Sequence, residues 1–342
     1  MTRGRSLAVL LPWLASAAVN APAAEPKPWP FLRKVIGLSE AQLAAVDRGE
    51  VVTKLLPSPE KPEIAAFGIV RVNGTLPTLR EELRDFKSFR KVPQIPEIGR
   101  FSDPPRVEDL DGLTWPDADV DALRNCRPGK CDVKLGTGSL DRLAKEVDWK
   151  ASDAKTKVLA LIKDQMVAYV GAYRAGGTDA LAVTVDKGNP KALSAEFRTL
   201  LKNSPYLPEY LPMFHQYLAA YPQGSLPGVS DTLFWTKDEF GLKPTVSMHH
   251  ATVYQPEASQ GPSLLVAIRM LYASHFFNAA LEIMAASPTP DGSGLYLLDL
   301  YRTRIDPPTG LLSGVLMGKV KGGIEDGVAL NLKTAKARVE GN

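Results

Sequence analysis

The last third of the chain carries the pattern that most restricts its fold. After Pro227, apolar and β-branched residues concentrate in consecutive segments separated by Gly, Pro or Asn, as is typical of strands joined by short turns. Strands joined in this way pair antiparallel. The predicted strands are 232–237, 243–254, 264–276, 279–286 and 295–305. Apolar residues then recur on one helical face over 310–339, so the pattern predicts an antiparallel sheet followed by a long helix.

Two parts of this pattern leave alternatives open. The Ala, Leu and Met content of 264–286 also suits a buried helix. In the last helix, Gly310, Gly314, Gly318 and Gly322 recur every four residues, although glycine inside a helix costs about 1 kcal/mol relative to alanine. Three interpretations are open: the start of this segment is a loop, the helix lies close on the sheet, or the stripe of glycines leaves room for a ligand beneath the helix.

The first two thirds of the chain supply a short α/β segment and then a block of helices. A strand at 63–72 leads through the turn Asn73-Gly74 into a helix at 77–89, and two strands are predicted at 95–101 and 107–115. A further short strand is predicted at 51–56. The remaining helices are predicted at 39–48, 117–124, 139–147, 153–175, 190–202 and 208–220. No segment of the helical block alternates with period two.

The N-terminal residues predict export. Arg3 and Arg5 precede an apolar run at 7–19, and the run ends at the small-residue sequence Ala21-Pro22-Ala23-Ala24, which a signal peptidase could cleave. The run is too short to span a membrane, and no cysteine lies near the cut for a lipid anchor. We therefore expect a periplasmic or secreted protein without a membrane span, whose mature chain starts near Glu25.

Composition and charge narrow the class of partner. Hydrophobic residues make up 44% and charged residues 23% of the chain, values that are close to average and sufficient for a packed core. Without Arg3 and Arg5 the 41 basic residues fall to 39, against 38 acidic residues. Because no net field attracts a polyanion, we expect neither nucleic acid nor an anionic membrane as a partner.

The two cysteines predict one structural disulfide. Cys126 and Cys131 flank Pro128-Gly129, a turn that brings the two sulfur atoms together, and an exported chain meets an oxidising environment. A redox-active dithiol or half of a metal site is the weaker alternative, because four residues separate the cysteines where thioredoxin-like motifs have two. We expect the bond to pin a single turn.

The order of elements resembles the START-like helix-grip superfamily. The residues that carry this resemblance are 67–72 with the helix at 79–86, and the strand 295–305 running into the helix after Gly310. The resemblance implies an α+β fold in which a curved antiparallel sheet grips the C-terminal helix and leaves a cavity for a lipid-like molecule. Residues 125–135 and 271–277 are also similar to parts of uncharacterised exported bacterial proteins.

This resemblance implies a division of the chain into a core and an insertion. Residues 117–227 have no counterpart in a minimal member, so they are predicted to be a helical insertion that carries the disulfide loop. The expected segments are a signal peptide at 1–24, a helix and extended arm at 25–62, the first part of the core at 63–116, the insertion at 117–227, and the remaining strands and helix at 228–342.

Side-chain alternation selects candidate ligand-binding residues. In strand 295–305, Tyr296 shares a face with Arg302 and Arg304, so an apolar floor facing the helix would end in two guanidinium groups that suit an anionic head group. The alternative is that both arginines pair with acids such as Asp306 or Glu325 at the sheet edge. The predicted ligand site comprises His250, Tyr254, Tyr272, Tyr296, Arg302 and Arg304.

The histidines raise a metal hypothesis that the sequence supports weakly. His249 and His250 are neighbours in a strand and point to opposite faces. A zinc site would need one of them with His275 and a third ligand such as Glu282 or Asp299. His250 fits better as a hydrogen-bonded histidine of the pocket or core. We therefore predict no metal and no cofactor.

The sequence predicts binding without chemistry. It contains no G-x-S-x-G elbow, no H-E-x-x-H motif and no phosphate-binding pattern, so no catalytic residue is assigned. The expected function is to hold an apolar or amphipathic small molecule between sheet and C-terminal helix. The alternatives are an envelope protein-protein interaction module with a filled core and, third, a hydrolase or cyclase-like enzyme using Asp299, His250 and Arg302 in the same pocket.

Overall fold

An eight-stranded antiparallel sheet forms the centre of the computed structural model. The structure describes residues 28–341 apart from 86, 88, 89, 91, 188, 240 and 257–260. The predicted signal peptide at 1–24 therefore lies outside the described residues. The strands are β1 Val52–Leu56, β2 Glu63–Val72, β3 Glu97–Arg100, β4 Val183–Thr184, β5 Lys191–Ala192, β6 Val229–Asp238, β7 Thr245–Tyr254, β8 Leu264–Ala273, β9 Phe277–Pro288 and β10 Leu295–Ile305. Strands β4 and β5 pair separately from the main sheet.

The helices cover both sides of this sheet. They are α1 Trp29–Phe31, α2 Glu40–Asp47, α3 Leu76–Arg84, α4 Asp117–Leu123, α5 Thr137–Glu146, α6 Ala154–Gly176, α7 Leu193–Lys202, α8 Tyr206–Tyr210, α9 Pro212–Ala220 and α10 Ser313–Glu340. A π-helical turn, Leu32–Ile36, follows α1, and short 3-10 turns occur at Val107–Leu110 and Gly177–Ala180. The structure thus confirms the α+β class.

The strand order of the main sheet is β1-β2-β10-β9-β8-β7-β6-β3, and the sheet is curved and open. The segment 264–286 forms two strands, β8 and β9, and the chain reverses between them at 274–276, where Phe276 adopts a positive φ of 58°. The predicted strand at 107–115 is wrong. Asp109 accepts hydrogen bonds from the backbone N–H groups of Ser102 and Arg106, and these bonds close the chain into a 3-10 turn.

Alternate residues along each strand define two covered faces of the sheet. The α10 face is covered by α10 and α3: at Gly68 of β2, an added Cβ would lie 2.6 Å from Leu332 and Val328 of α10. Gly68 pairs with Asp299 of β10, so Asp299 lies on the same face. The insertion face carries the intervening residues and packs in one hydrophobic cluster with the helices of residues 117–220.

The part of α10 from Ile324 onward packs on the sheet. Val328, Leu332, Ala335 and Val339 are buried in a cluster with β2, β10 and α3. At the start of the helix, the N-cap residue Leu312 is 67% and Val315 60% exposed. An added Cβ at Gly314, Gly318 or Gly322 would meet nothing within 4 Å, so the glycine stripe is not pressed against the sheet, and Gly310 lies before the helix with φ of 89°.

Candidate functional site

A cavity lies between the α10 face of the sheet and the two helices that cover it. Its volume is about 50 Å³, and it is partly open to solvent. The lining is mainly apolar and comes from α3, β8, β9, β10, α10 and the segment after α3. The lining residues are Leu79, Leu83, Arg90, Val92, Leu264, Val266, Met284, Ala285, Ala286, Leu297, Leu298, Asp299, Asn331, Leu332, Thr334 and Ala335.

The volume of the cavity limits what it holds in this conformation. A buried water needs about 10–15 Å³ on this measure, so 50 Å³ corresponds to a few water molecules. Binding sites for drug-sized ligands are usually about 300–1,000 Å³. A larger ligand therefore requires the helices to move away from the sheet.

One wall of the cavity carries an ion pair that is almost fully buried. The Arg90 guanidinium donates two hydrogen bonds to the Glu282 carboxylate, at 2.9 and 3.0 Å, and the two side chains are only 14% and 3% exposed. Asn331 of α10 donates a third bond to Glu282 at 3.3 Å. The planar guanidinium fork matches a carboxylate in this bidentate geometry, so the charge of Glu282 is satisfied.

Asp299 lies beside this pair and is the exception in the cavity wall. The residue is 1% exposed, and neither carboxylate oxygen makes a hydrogen bond of acceptable geometry within the described residues, although Asn331 and Glu282 are neighbours. Burial, and then the negative charge of Glu282, raise the pKa of Asp299 well above its usual value. Both causes favour the neutral form of the Asp299 carboxyl group, and its two oxygens have unused hydrogen-bonding capacity in a mainly apolar wall.

A second polar group lies on the same face near the end of β6. Thr236 donates to Asp238 at 3.0 Å, and His249 Nε2 is 3.1 Å from the same hydroxyl. Burial raises the pKa of Asp238 to about 7 and lowers the pKa of His249 to about 3. The positive charge of Arg90 acts on both groups in the direction that lowers their pKa. The α10 face thus places Glu282, Asp299 and Asp238 around one guanidinium.

The predicted arginines lie on the opposite face. Arg302 and Arg304 alternate with Asp299 along β10, so they point to the insertion face together with Tyr296. Arg302 pairs with Glu63, and Arg304 pairs with Glu60 at 2.8 Å and Glu196 at 2.5 Å. The shared face was predicted correctly, but the expectation that it looks toward the C-terminal helix is wrong. Alternation fixes which residues share a face, and it does not determine which face the helix covers.

The predicted histidine and tyrosines also lie away from the cavity. His250 is held between the Tyr173 hydroxyl on Nδ1, at 2.8 Å, and Asp231 on Nε2, at 2.7 Å. Tyr272 donates to the carbonyl of Lys134 at 2.6 Å. Tyr254 stacks on Phe214 with ring centroids 5.6 Å apart, and Tyr296 donates to Asp47 at 2.8 Å. All four side chains join the sheet to the helices that cover its insertion face.

The histidines of the metal hypothesis do not converge. His249 lies on the α10 face, His250 on the insertion face, and His275 pairs with Asp119 at 2.8 Å. Each ring therefore has a different neighbourhood. Within the part of the chain that the structure describes, no group of three or more His, Cys, Asp or Glu side chains is placed to hold a metal ion.

The predicted disulfide is confirmed, and it closes a single turn. Cys126 and Cys131 are bonded with Cα atoms 4.5 Å apart, and both cysteines of the chain are used. The backbone N–H groups of Gly129 and Cys131 donate to the carbonyls of Val185 and Asp186, at 2.7 and 2.9 Å. The bonded loop is thereby fastened to the strand-like segment after β4.

Three polar residues that line the cavity were not predicted from the sequence: Arg90, Asn331 and Thr334. Glu282 and Asp299 were considered only as metal ligands or pocket acids. The sequence of β10 does contain a signal for Asp299: the alternate positions along the strand are Leu295, Leu297 and Tyr301. Asp299 is therefore an acid on an otherwise mainly apolar strand face. Arg90 comes directly after the helix predicted at 77–89, and no pattern in the sequence places its side chain in the cavity wall.

Comparisons with known proteins supply no relative for this site: no protein-family model matches the chain, and no curated protein matches it at a significant level. Among the described helices, none is long and apolar enough to cross a membrane.

Proposed function

We propose that this chain is an exported protein that binds an apolar or amphipathic small molecule in the cavity between α10 and the sheet, without chemistry. The observation that carries the proposal is the combination of an apolar lining with a buried carboxyl, Asp299, whose oxygens have no partner in the described structure. A polar group left unsatisfied in an apolar site costs free energy, which a ligand's polar group would recover. The ligand would therefore have an apolar body and a polar end.

The topology supports the same proposal. A helix follows β2, seven strands are ordered β2-β10-β9-β8-β7-β6-β3, and a long helix follows the last strand. The order of these elements along the chain is the one on which the resemblance to the START-like helix-grip superfamily rests, with the helices of 117–220 between β3 and β6. Export is supported by the N-terminal signal pattern and by the disulfide between Cys126 and Cys131, since such bonds persist in oxidising compartments.

The modest cavity volume favours a second candidate, the envelope interaction module. Tyr210 and Met213 are 45% and 61% exposed where α8 meets α9, and large apolar side chains at such a junction suit a protein partner. The enzyme alternative has less support, because the His250–Asp231 pair lies on the insertion face and does not line the cavity.

Native mass spectrometry of the exported protein, isolated gently, separates these candidates. A bound small molecule adds mass to the wild-type chain, and Ala335→Leu fills the cavity from α10 and should abolish that added mass. Ala337→Leu is the matched control, because residue 337 lies on the same helix and does not line the cavity. If no small molecule adds mass in any sample and a co-purifying protein is bound instead, the interaction module is favoured.

A further inference from the structure

We infer that the cavity binds a ligand whose polar end is a cationic nitrogen, an alkylamine head that pairs with Asp299. This inference rests on the proposed function and adds the chemical class of the head group. It follows from the geometry of Asp299 and from the balance of charge on the α10 face.

The geometry leaves one acceptor free in the cavity wall. Arg90 and Asn331 already donate three hydrogen bonds to Glu282, so that carboxylate has its donors. Asp299 belongs to the same wall, is 1% exposed, and has two oxygens without a hydrogen-bond partner in the described structure. An ammonium group supplies up to three donors and no acceptor, which complements a carboxylate of this kind.

The charge balance selects a cation among the possible head groups. Three acids, Glu282, Asp299 and Asp238, act on the single guanidinium of Arg90. Arg90 is engaged with Glu282, so an anionic head group entering beside Asp299 would meet the negative charge of Glu282 without a free cation among the described lining residues. A cation would instead stabilise the ionised form of Asp299, which burial and Glu282 otherwise disfavour.

The protons balance without any other reactant. Before binding, burial and then the negative charge of Glu282 favour the protonated form of Asp299. A free amine that enters takes the proton from the Asp299 oxygen onto its nitrogen, and an ion pair between ammonium and carboxylate results. An ammonium that enters directly displaces the same proton into water, and the final state is identical.

The apolar lining defines the remainder of the ligand. Leu264 and Val266 of β8, Met284 of β9 and Leu297 of β10 surround the polar wall. Burial of alkyl carbons against these side chains is favourable in proportion to the apolar area removed from water. A short unbranched alkylamine is therefore the appropriate probe, because its chain is thin enough for a narrow cavity.

Isothermal titration calorimetry at pH 7 with hexylamine, 1-hexanol and hexanoate tests the inference. For the wild-type protein we expect hexylamine to bind at least tenfold more tightly than 1-hexanol, and hexanoate to bind most weakly. This series needs no variant. Equal affinities for hexylamine and hexanol, or tightest binding of hexanoate, would overturn the inference and leave apolar binding intact, whereas no heat from any probe would overturn the proposed function as well.

The Asp299→Asn variant provides the residue-level test. Asparagine keeps the size of the side chain and removes its capacity for negative charge, so the affinity for hexylamine should fall at least tenfold while that for hexanol changes less than twofold. Asp119→Asn is the matched control, because Asp119 is another buried acid and pairs with His275 outside the cavity. An unchanged hexylamine affinity in a folded Asp299→Asn protein would contradict the assignment.

Discussion

Gly68 and Asp299 face each other across β2 and β10, and this pairing explains how an acid comes to lie beneath the C-terminal helix. The absence of a side chain at Gly68 lets Leu332 and Val328 of α10 sit where a Cβ would otherwise lie, at 2.6 Å from its position. The helix therefore approaches the sheet closely at this point. Asp299, one strand away, is shut off from water by the same contact.

We predict that Gly68→Ala destabilises the protein by about 1–3 kcal/mol, because the added methyl group would displace Leu332 and Val328 of α10. Gly318→Ala is the control: an added Cβ there meets nothing within 4 Å, and alanine in a helix interior should stabilise by about 0.5–1 kcal/mol. Urea unfolding measures both changes. Equal stability of Gly68→Ala and wild type would mean that α10 does not pack at Gly68.

We predict that Asp238→Asn changes stability only at high pH. The pKa of Asp238 is about 7 in the folded protein, raised mainly by burial from its usual 3.8, so the folded chain retains a proton that the unfolded chain releases. Its contribution to stability therefore declines as pH rises from about 4 to 7. Asparagine does not ionise, so the variant should match wild type at pH 4.5 and exceed it at pH 8.

The same denaturation experiment at the two pH values contains its own control for Asp238→Asn. His249 and Asp299 are present in both proteins, so their contributions cancel in the difference between them. A difference in unfolding free energy that is the same at pH 4.5 and pH 8 would contradict a buried, protonated Asp238.

We predict that Arg302→Met lowers the unfolding free energy by about 3 kcal/mol without affecting binding of hexylamine or hexanol. Arg302 pairs with Glu63, whose side chain is fully buried, and its removal leaves the Glu63 carboxylate with only the Asn203 amide, at 2.6 Å, and the more distant Arg304, at 3.7 Å. Denaturation and calorimetry on the same sample measure the two effects. Lost binding with unchanged stability would indicate that the ligand enters at the insertion face after all.

We predict that replacing Cys126 and Cys131 together by serine costs about 2 kcal/mol, since a bond that closes so short a loop removes little entropy from the unfolded chain. Urea denaturation of the double variant, and of the wild type with and without reductant, measures the cost. The backbone of this turn contacts the segment at 185–186. A loss of the whole fold in the double variant would show that the disulfide stabilises more of the protein than that segment.

The element types could be predicted because periodicity is a local property. The strands at 245–254 and 295–305, the cap of α2 by Ser39 and the final helix all follow from short-range patterns. The 3-10 turn at 107–110 did not follow, since one side chain, Asp109, redirects the backbone there. Competition of this kind depends on particular hydrogen bonds more than on propensity.

The candidate site was harder to predict, because it depends on which face of the sheet each helix covers. Alternation placed Tyr296, Arg302 and Arg304 together and Asp299 apart, but a chain with helices on both faces gives no local signal for the face on which α10 docks. Arg90 comes near Glu282 across 192 positions of sequence, and only the tertiary structure brings them together. The size of the cavity depends on the same packing.

Methyl NMR of methionine-labelled protein tests ligand binding between α10 and the sheet most directly. Met284 lines the cavity, whereas Met248 lies on the insertion face. During titration with hexylamine, the Met284 methyl resonance, assigned with Met284→Leu, should shift in proportion to occupancy while that of Met248 stays in place. A shift of Met248 with Met284 unmoved would contradict the proposed site.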